Sequence, residues 1–450
     1  MIMEFLDRFF NLKIAVVDLA ARETEILPLP RDVAAENLGG ASLNRALFKQ
    51  YREDDPLVLG VGPLTGSFAP GSCLMIATFR PFSDDGLCHT PLMLRAGPGL
   101  KFSGLDFLVI KGAATAPQKL VIAINTIQFL PAEDLINRSV PEVSEMIKLQ
   151  HPARRYFTIL TGPAADTGSP NAMVSLGTGG SLDKGGMAAW MAARKLKAIM
   201  FAGGGGLPFG ANNLSLRGKM LDTLNAGRKT KGGGCLSVLG SIGLPEAVKS
   251  YIANSIKSVF ACYNCPFPCM GYGVTSGLNR SGGKGSEPVM VMDHSGLTAL
   301  AKTCGRQCLV LLGECQRLGL DPAAAALKFD PEMKIEELVQ TARGLAGIGK
   351  DRQILSPGVD ETSAFIRGDV PAEDFLKFGG GLPPILSGRK EKNPGLWTDR
   401  VAMTMILGVC PIIALRFPEI SSKVLLEFIS DDRAEREFLK QRLSASVQSL

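Results

Sequence analysis

Short apolar runs separated by turn-forming residues dominate the first half of the chain. Lys13–Leu19, Leu57–Val61, Leu74–Thr78, Phe107–Ile110, Leu120–Ile124, Tyr156–Leu160 and Leu196–Phe201 are each four to seven residues long. Runs this short and this continuous in apolar character predict buried strands. Helical stretches interleave, as at Gly186–Lys195, and Gly203–Gly206 reads as a boundary or hinge. Beyond it the period becomes helical. Ile335, Leu338, Val339, Ala342 and Leu345 share one face of a helix expected to start at Asp330-Pro331-Glu332. Asp is its expected N-cap and Pro its first position, and Gly347 and Gly349 end it. A second helix is expected from Thr298 to about Leu318. The pattern predicts an α+β fold: a β-rich domain over residues 1–206, then mainly α-helical domains over 207–450. The sequence contains no evident internal repeat.

Composition narrows the function. Hydrophobic residues make up 46% of the 450 residues and charged ones 20%, which suits a chain with a buried core. The net charge of +6 is small, and no Lys or Arg run stands out, so no nucleic acid is expected as partner. Acidic residues interrupt the N-terminus early, and no secretory signal is read there. The longest apolar run, Val401–Leu415, contains Gly408 and Pro411 and is short for a bilayer; it reads as buried core rather than a membrane span. A cytoplasmic protein is expected. Ten cysteines in that setting predict metal ligands and small buried hydrophobes, not a disulfide framework.

The sharpest chemical feature is Cys262-Tyr-Asn-Cys265-Pro-Phe-Pro-Cys269, three thiols within eight residues. Thiolates are soft ligands for iron–sulfur clusters and zinc. A short loop brings such thiols to neighbouring corners of one cubane, and Pro266 and Pro268 stiffen it by fixing φ. Zinc sites more often pair two C-x2-C knuckles, and no second knuckle exists, so iron–sulfur is preferred. A cubane needs a fourth ligand. Cys410, Cys315, Cys308, Cys304 and Cys235 are candidates, and spacing alone does not choose among them. Cys304, Cys308 and Cys315 sit at helical spacing, which suits packing. Gly60-Val61-Gly62-Pro63-Leu64-Thr65-Gly66 follows a strand, but its third Gly is late for a dinucleotide fingerprint and Pro63 lacks an N–H. It reads as a strand-ending turn.

Several segments, taken in order, resemble the aldehyde ferredoxin oxidoreductase family. They are Lys13-Ile14…Asp18-Leu19, Leu38-Gly39-Gly40, Gly62 to Ser72, Leu100 to Asp106, Leu196 to Ile199, the cysteine triplet, Gly285-Ser286-Glu287, Arg317 to Asp321, Ile348-Gly349 and Gly408-Val409-Cys410. The resemblance spans nearly the whole chain. It implies a two-sheet N-terminal domain followed by helical domains. It also implies a [4Fe–4S] cluster beside a tungsten (or molybdenum) bis-pterin, in an anaerobic enzyme that oxidises an aldehyde and passes electrons to ferredoxin or a similar acceptor. A homodimer or a subunit of a larger redox complex fits that setting. The family's motif for the fourth cluster ligand maps onto Met405-Ile-Leu-Gly408-Val409-Cys410, so the resemblance selects Cys410. Its partner motif maps onto Gln316-Arg-Leu-Gly319-Leu320-Asp321. Glu287 matches a Glu near the substrate pocket and is the catalytic candidate. The amides opening the helix at Lys184-Gly185-Gly186 are candidates for a pterin phosphate. His294 beside Asp293 is a weaker candidate for proton transfer, the alternative being an ordinary hydrogen-bonded pair.

The sequence departs from that pattern on the pterin side. Gln316 and Met405 stand where the family has Asp, and Leu74 where it has Arg. Thr90-Pro-Leu-Met-Leu94 replaces a Ser-Asn…Gly-Gly stretch, and the chain is shortened between Asp351 and Asp399, a region that supplies a catalytic His. None of His89, His151 and His294 lies there. The alternative reading is therefore a non-catalytic paralogue that keeps the cluster without pterin, as an electron-relay or assembly subunit.

Overall fold

A computed structural model describes residues 2–81, 86–124, 126–153, 155–204, 214–231, 234–235, 238, 244–278, 284–348, 370–382 and 394–450. The expected strands form in the first half. β1 (Lys13–Asp18), β2 (Glu23–Pro28), β3 (Leu57–Val61), β4 (Met75–Phe79), β5 (Cys88–Leu92) and β6 (Phe107–Lys111) make a six-stranded sheet in the order β2-β1-β6-β3-β4-β5. β3, β4 and β5 are buried along their whole length, which explains their unbroken apolar character. β7 (Gln118–Ala123), β8 (Thr126–Pro131), β9 (Phe157–Thr161), β10 (Val174–Leu176) and β11 (Leu196–Phe201) make a second sheet of five strands, ordered β10-β9-β11-β7-β8. Both sheets are mixed: β1 pairs with β6, and β11 with β7, in parallel, and the other pairs are antiparallel.

The remainder is mainly helical, so the fold class is α+β. The boundary expected near residue 206 lies outside the described residues. One element was not expected there: β12 (Ile256–Phe260), β13 (Met270–Leu278) and β14 (Lys284–Val291) form a three-stranded antiparallel sheet. Its strands contain Gly271, Gly273, Gly277 and Gly285, which mask any alternation of apolar and polar positions.

Two helices differ from expectation. The one expected over Thr298–Leu318 is two, His294–Cys304 and Cys308–Leu318, broken at Gly305 with φ of 56°. A residue in that region cannot continue an α-helix. Cys304 therefore does not share a helix with Cys308 and Cys315. The helix expected to begin at Asp330 begins at Ile335. The Asp330 carboxylate instead accepts the Glu332 amide at 2.9 Å in a turn, and Glu337 accepts the Lys334 amide at 2.9 Å. Gly347 (φ 74°) ends it as expected, with the Ile348 amide returning to the Arg343 carbonyl at 2.8 Å. Gly349 lies outside the described residues.

The apolar run Val401–Leu415 is buried throughout, in the helices Pro394–Leu407 and Pro411–Arg416. Among the described residues no helix is long and apolar enough to cross a membrane. The helix Pro394–Leu407 docks on the first sheet through backbone. A Cβ on Gly40 would overlap the Met405 carbonyl oxygen, and one on Gly62 would overlap the Leu407 carbonyl carbon and the Gly408 nitrogen. Beneath this seam the buried Lys101 ammonium donates to the carbonyls of Gly62 (3.3 Å) and Pro63 (3.1 Å) and lies 5.2 Å from the Phe10 ring centroid. Asp106 anchors the same corner by accepting the amides of Asn11 (3.0 Å) and Lys13 (3.2 Å).

Because rigid backbone faces Gly62, Gly62→Ala is expected to cost about 3 kcal/mol or more. Thermal unfolding checks this, and an unchanged melting temperature would contradict the close docking.

Candidate iron–sulfur site

The cysteine triplet occupies the loop between β12 and β13. Asn264, in its middle, takes a left-handed conformation (φ 50°), which Asn tolerates better than most residues. Its side chain donates to the carbonyls of Ser67 (3.0 Å) and Ala69 (3.1 Å), and its own carbonyl accepts the Gly71 amide at 3.0 Å. The Tyr263 amide donates to Leu94 O at 2.8 Å. The loop is thus held against two connections of the first sheet, one after β3 and one after β5. From the other side comes Cys410, whose amide donates to Gly71 O at 2.8 Å. Gly71 therefore joins the triplet loop through its N–H and Cys410 through its C=O. A Cβ on Gly71 would lie 3.5 Å from that of Cys410, and its φ of 77° favours glycine.

The thiols meet where these segments meet. On the turn after Gly71, the Cys73 thiol is pushed well up by its neighbours Cys262 and Cys410 and by burial. The Leu94 amide donates to Cys262 Sγ at 3.3 Å, and Cys410 Sγ lies 3.8 Å from Met93 Sδ. Leu94 holds φ of 62°, a strained conformation for leucine of the kind that persists where surroundings impose it. Burial, then the neighbouring Cys410 and Cys262, pushes the Cys265 thiol well up. Cys269 is pushed up by burial and by Cys262, Cys410 and Cys265. The hydrogen bond with Cys73 pulls Cys410 down. Thiols raised in this way are neutral on their own, and a cation would be needed to hold them as thiolates. None of the ten cysteines is in a disulfide. Among the described residues, no three His, Cys, Asp or Glu side chains are grouped for a single metal ion; a cubane instead asks its ligands to stand at separate irons.

The other candidates for the fourth ligand lie elsewhere. Cys235 packs behind the loop, its amide bonded to Pro268 O at 2.8 Å and its Sγ 3.0 Å from where a Cβ on Gly271 would sit. Cys304 ends one helix and Cys308 starts the next, while Cys315 faces a small cavity beside Gln316. His294 is buried and pushed down to about 4 by desolvation; its Nε2 lies 3.0 Å from Cys269 O, a backbone contact of the ordinary kind. Cys73 was not singled out in the sequence, Met93 and Leu94 entered only within the stretch Thr90–Leu94, and Asn264 only within the triplet itself. For Cys73, Met93 and Leu94 the signal, proximity to the triplet, exists only in the fold.

Comparison with known proteins adds a family likeness over the first half of the chain. A family model described as the aldehyde ferredoxin oxidoreductase N-terminal domain matches residues 14–203. Over that domain the chain is similar to the aldehyde ferredoxin oxidoreductase family. A Pyrococcus furiosus protein named aliphatic sulfonate oxidoreductase, WOR-like subunit, is 28% identical over 44% of this chain and 35% of its own length. A tungsten-containing aldehyde ferredoxin oxidoreductase of the same organism is 25% identical over 45% of this chain and 34% of its own. The matches thus span about a third of those relatives. A solved structure titled as the active site complex BamBC of benzoyl coenzyme A reductase with 1,5-dienoyl-CoA shares the fold. Its TM-score is 0.68 at 16% identity, over 98% of this chain and 89% of that one.

The two segments that the resemblance maps onto pterin motifs dock alike here. Gly408 (φ 83°) packs on Gly62, and Leu64 N donates to Leu407 O at 2.9 Å. Gly319 (φ 64°) packs on Gly162 after β9, and Met173 N donates to Gly319 O at 2.8 Å. Leu320 bridges Ala172, and Val409 is buried. The side chains that would face a pterin are engaged internally. Gln316 pairs with the Met290 backbone in both directions, at 2.5 and 3.2 Å, and Met405 is fully buried. Lys184 Nζ lies 2.9 Å from Asp293 and 2.5 Å from Asp321. The amides expected for a phosphate are taken: the Asp183 carboxylate accepts those of Met187 (3.3 Å) and Ala188 (3.4 Å) and is pushed up to about 6 by burial. The cavity between Ser175, Ser181, Asp293, Gln316 and Leu320 measures about 10 Å³, room for one water. These side chains do not fit a pterin. Glu287 lies on β14 opposite Thr275, and its side chain is outside the described residues.

Alanine at Cys262, Cys265, Cys269 or Cys410 is expected to abolish stable iron binding, and alanine at Cys304, Cys308 or Cys315 to leave it intact, as iron analysis after anaerobic purification would show. Lys184→Met strands the buried Asp293 and the part-buried Asp321 carboxylates and is expected to cost about 3 kcal/mol or more. Burial raises Asp293, but Lys184, the Gly296 amide and the Ser295 hydroxyl hold it net below its usual 3.8. Its contribution is therefore present above pH 3.8 and lost as pH falls through the lowered value. The gap in melting temperature between the native protein and Asp293→Asn should close in acid.

Proposed function

We propose that this chain is a redox protein of the aldehyde ferredoxin oxidoreductase family that passes electrons through one [4Fe–4S] cluster, with Cys262, Cys265, Cys269 and Cys410 as its ligands. The observation that carries the reading is the meeting of Cys410 with the triplet across Gly71, although about 140 residues separate them in the sequence. A bound cubane supplies one-electron transfer. The chain's part is to bury the ligand thiols, to aim the Leu94 amide at Cys262 Sγ and to keep the loop rigid through Asn264. Amide donors and burial of this kind set a cluster's potential. The domain division at about residue 206 belongs to the same proposal, with the ligands carried by the second part.

The finer activity suggested by the relatives' names is oxidation of an aldehyde by a tungsten-containing enzyme with a ferredoxin-like acceptor, to which the family resemblance adds a pterin. It would need pterin-facing groups at Gln316, Met405, Lys184 and Asp321. The engagement of Gln316 with Met290, and of Lys184 with two aspartates, favours the second reading instead: a cluster-bearing relay or assembly subunit that works without pterin. A relative named as a WOR-like subunit supports a place in a larger redox complex.

The test is anaerobic purification from a host that makes tungstopterin. About four irons per chain and no pterin released on denaturation are expected. Pterin at about two per chain would overturn the relay reading, and zinc in place of iron would overturn the redox function.

A further inference from the structure

The segments that carry the cysteines and hold them together, Gly62–Leu74, Phe260–Met270 and Leu407–Pro411, contain no charged residue. A cation reaches them from outside. Arg217, in the first turn of the helix Leu214–Lys231, donates from Nη2 to the Asn264 side-chain oxygen at 2.8 Å. Its Cζ lies 6.0 Å from the ring centroid of Phe68, on the connection that carries Gly71. Both ends of the Asn264 amide are thus engaged: its oxygen accepts Arg217, and its nitrogen donates to the carbonyls of Ser67 and Ala69. The Arg217 side chain is half-buried, and its Nε–H is buried with no hydrogen-bond partner among the described residues. Among those residues no carboxylate pairs with it. Asp222 shares its helix but lies five residues on, outside the spacing at which helical side chains meet.

We propose that Arg217 is a positioning residue that holds a fixed positive charge against the cluster loop through Asn264 and raises the cluster's reduction potential. The inference rests on the iron–sulfur reading above. Asn264 stands between Cys262 and Cys265, so a group bonded to its side chain is held beside the loop that ligates the irons. A cubane with four thiolates is a net anion, and reduction adds one more negative charge. A half-buried guanidinium without a carboxylate is costly unless an anion lies near, and the cluster is that anion. A guanidinium keeps its charge at any working pH, so no titration is involved. It stabilises the reduced cluster more than the oxidised one, because the attraction grows with the charge it faces. Arg217 takes no electron and breaks no bond.

Redox titration read by electron paramagnetic resonance, alongside iron analysis, tests this on the anaerobically purified full chain. Arg217→Gln removes the charge and Arg217→Lys keeps it, and both should retain about four irons per chain. In low salt the Arg217→Gln midpoint should fall, with reduction about three- to tenfold less favourable, or about 30–60 mV for one electron. The fall should shrink in high salt, because a half-buried charge is screened. Arg217→Lys should keep most of the native midpoint. An unmoved midpoint in Arg217→Gln, or an equal fall in Arg217→Lys, would overturn the proposal. Loss of iron from both variants would overturn it too, since the bond to Asn264 and not the charge would then be what counts. Absence of iron from the unsubstituted protein would instead sink the iron–sulfur reading itself.

Discussion

The arrangement depends on a glycine-to-glycine seam. Gly62 follows β3 without a side chain, and Gly408 follows the helix Pro394–Leu407 in a left-handed conformation. Neither position has space for a Cβ, since one on Gly408 would overlap Thr65 Oγ1. Two backbones can therefore approach to hydrogen-bonding distance, with Leu64 N on Leu407 O and Leu74 N on Gly408 O at 2.9 and 3.4 Å. That contact delivers Cys410 to the turn carrying Gly71 and Cys73. Side-chain packing tolerates small shifts, whereas a backbone ladder fixes register, and register places the sulfur.

The same device occurs a second time. Gly162 begins a Gly-Pro turn after β9, as Gly62 does after β3, and it receives Leu318 and Gly319 as Gly62 receives Leu407 and Gly408. The two docking sites have diverged in what they present. At one, a thiol meets other thiols. At the other, Asp321 meets Lys184, and Lys184 meets Asp293. Both end in buried polar groups whose partners come from distant segments. Leaving such a group unpaired costs more than the pair contributes, so each site holds its segments to a single arrangement.

The contrast between the two halves is electrostatic. In the proposed reading, the cysteine half gathers groups that become anions on binding metal and would leave their neutralisation to a cluster. The other half is already neutralised: Asp183 by helix amides, Lys184 by two carboxylates and the Gln316 amide by a backbone peptide. A site that satisfies its own polar groups has little left to offer a polar cofactor. This is the physical content of the exchange of Asp for Gln316 and Met405.

Much was legible in the sequence alone. The continuous apolar runs became buried strands, because a strand covered on both faces must be apolar throughout. The density of the triplet pointed to metal, because the ligands for a cluster can come from one short loop. Gln316 and Met405 marked the weakened pterin side, because a carboxylate's two acceptors cannot be replaced by an amide or a thioether. Other features were decided only by the tertiary structure. The break at Gly305 depends on one residue's φ within a helix-like pattern. The sheet β12–β14 is glycine-rich and shows no clear period. The Lys184–Asp293–Asp321 group joins residues more than a hundred positions apart. Cys73 was not singled out, and only the fold places it, fully buried, on the turn at Gly71 that also holds Cys410. Local pattern reports what a residue's own element requires, while long-range neighbours are set by how backbones dock, and here that is decided where glycines let them touch.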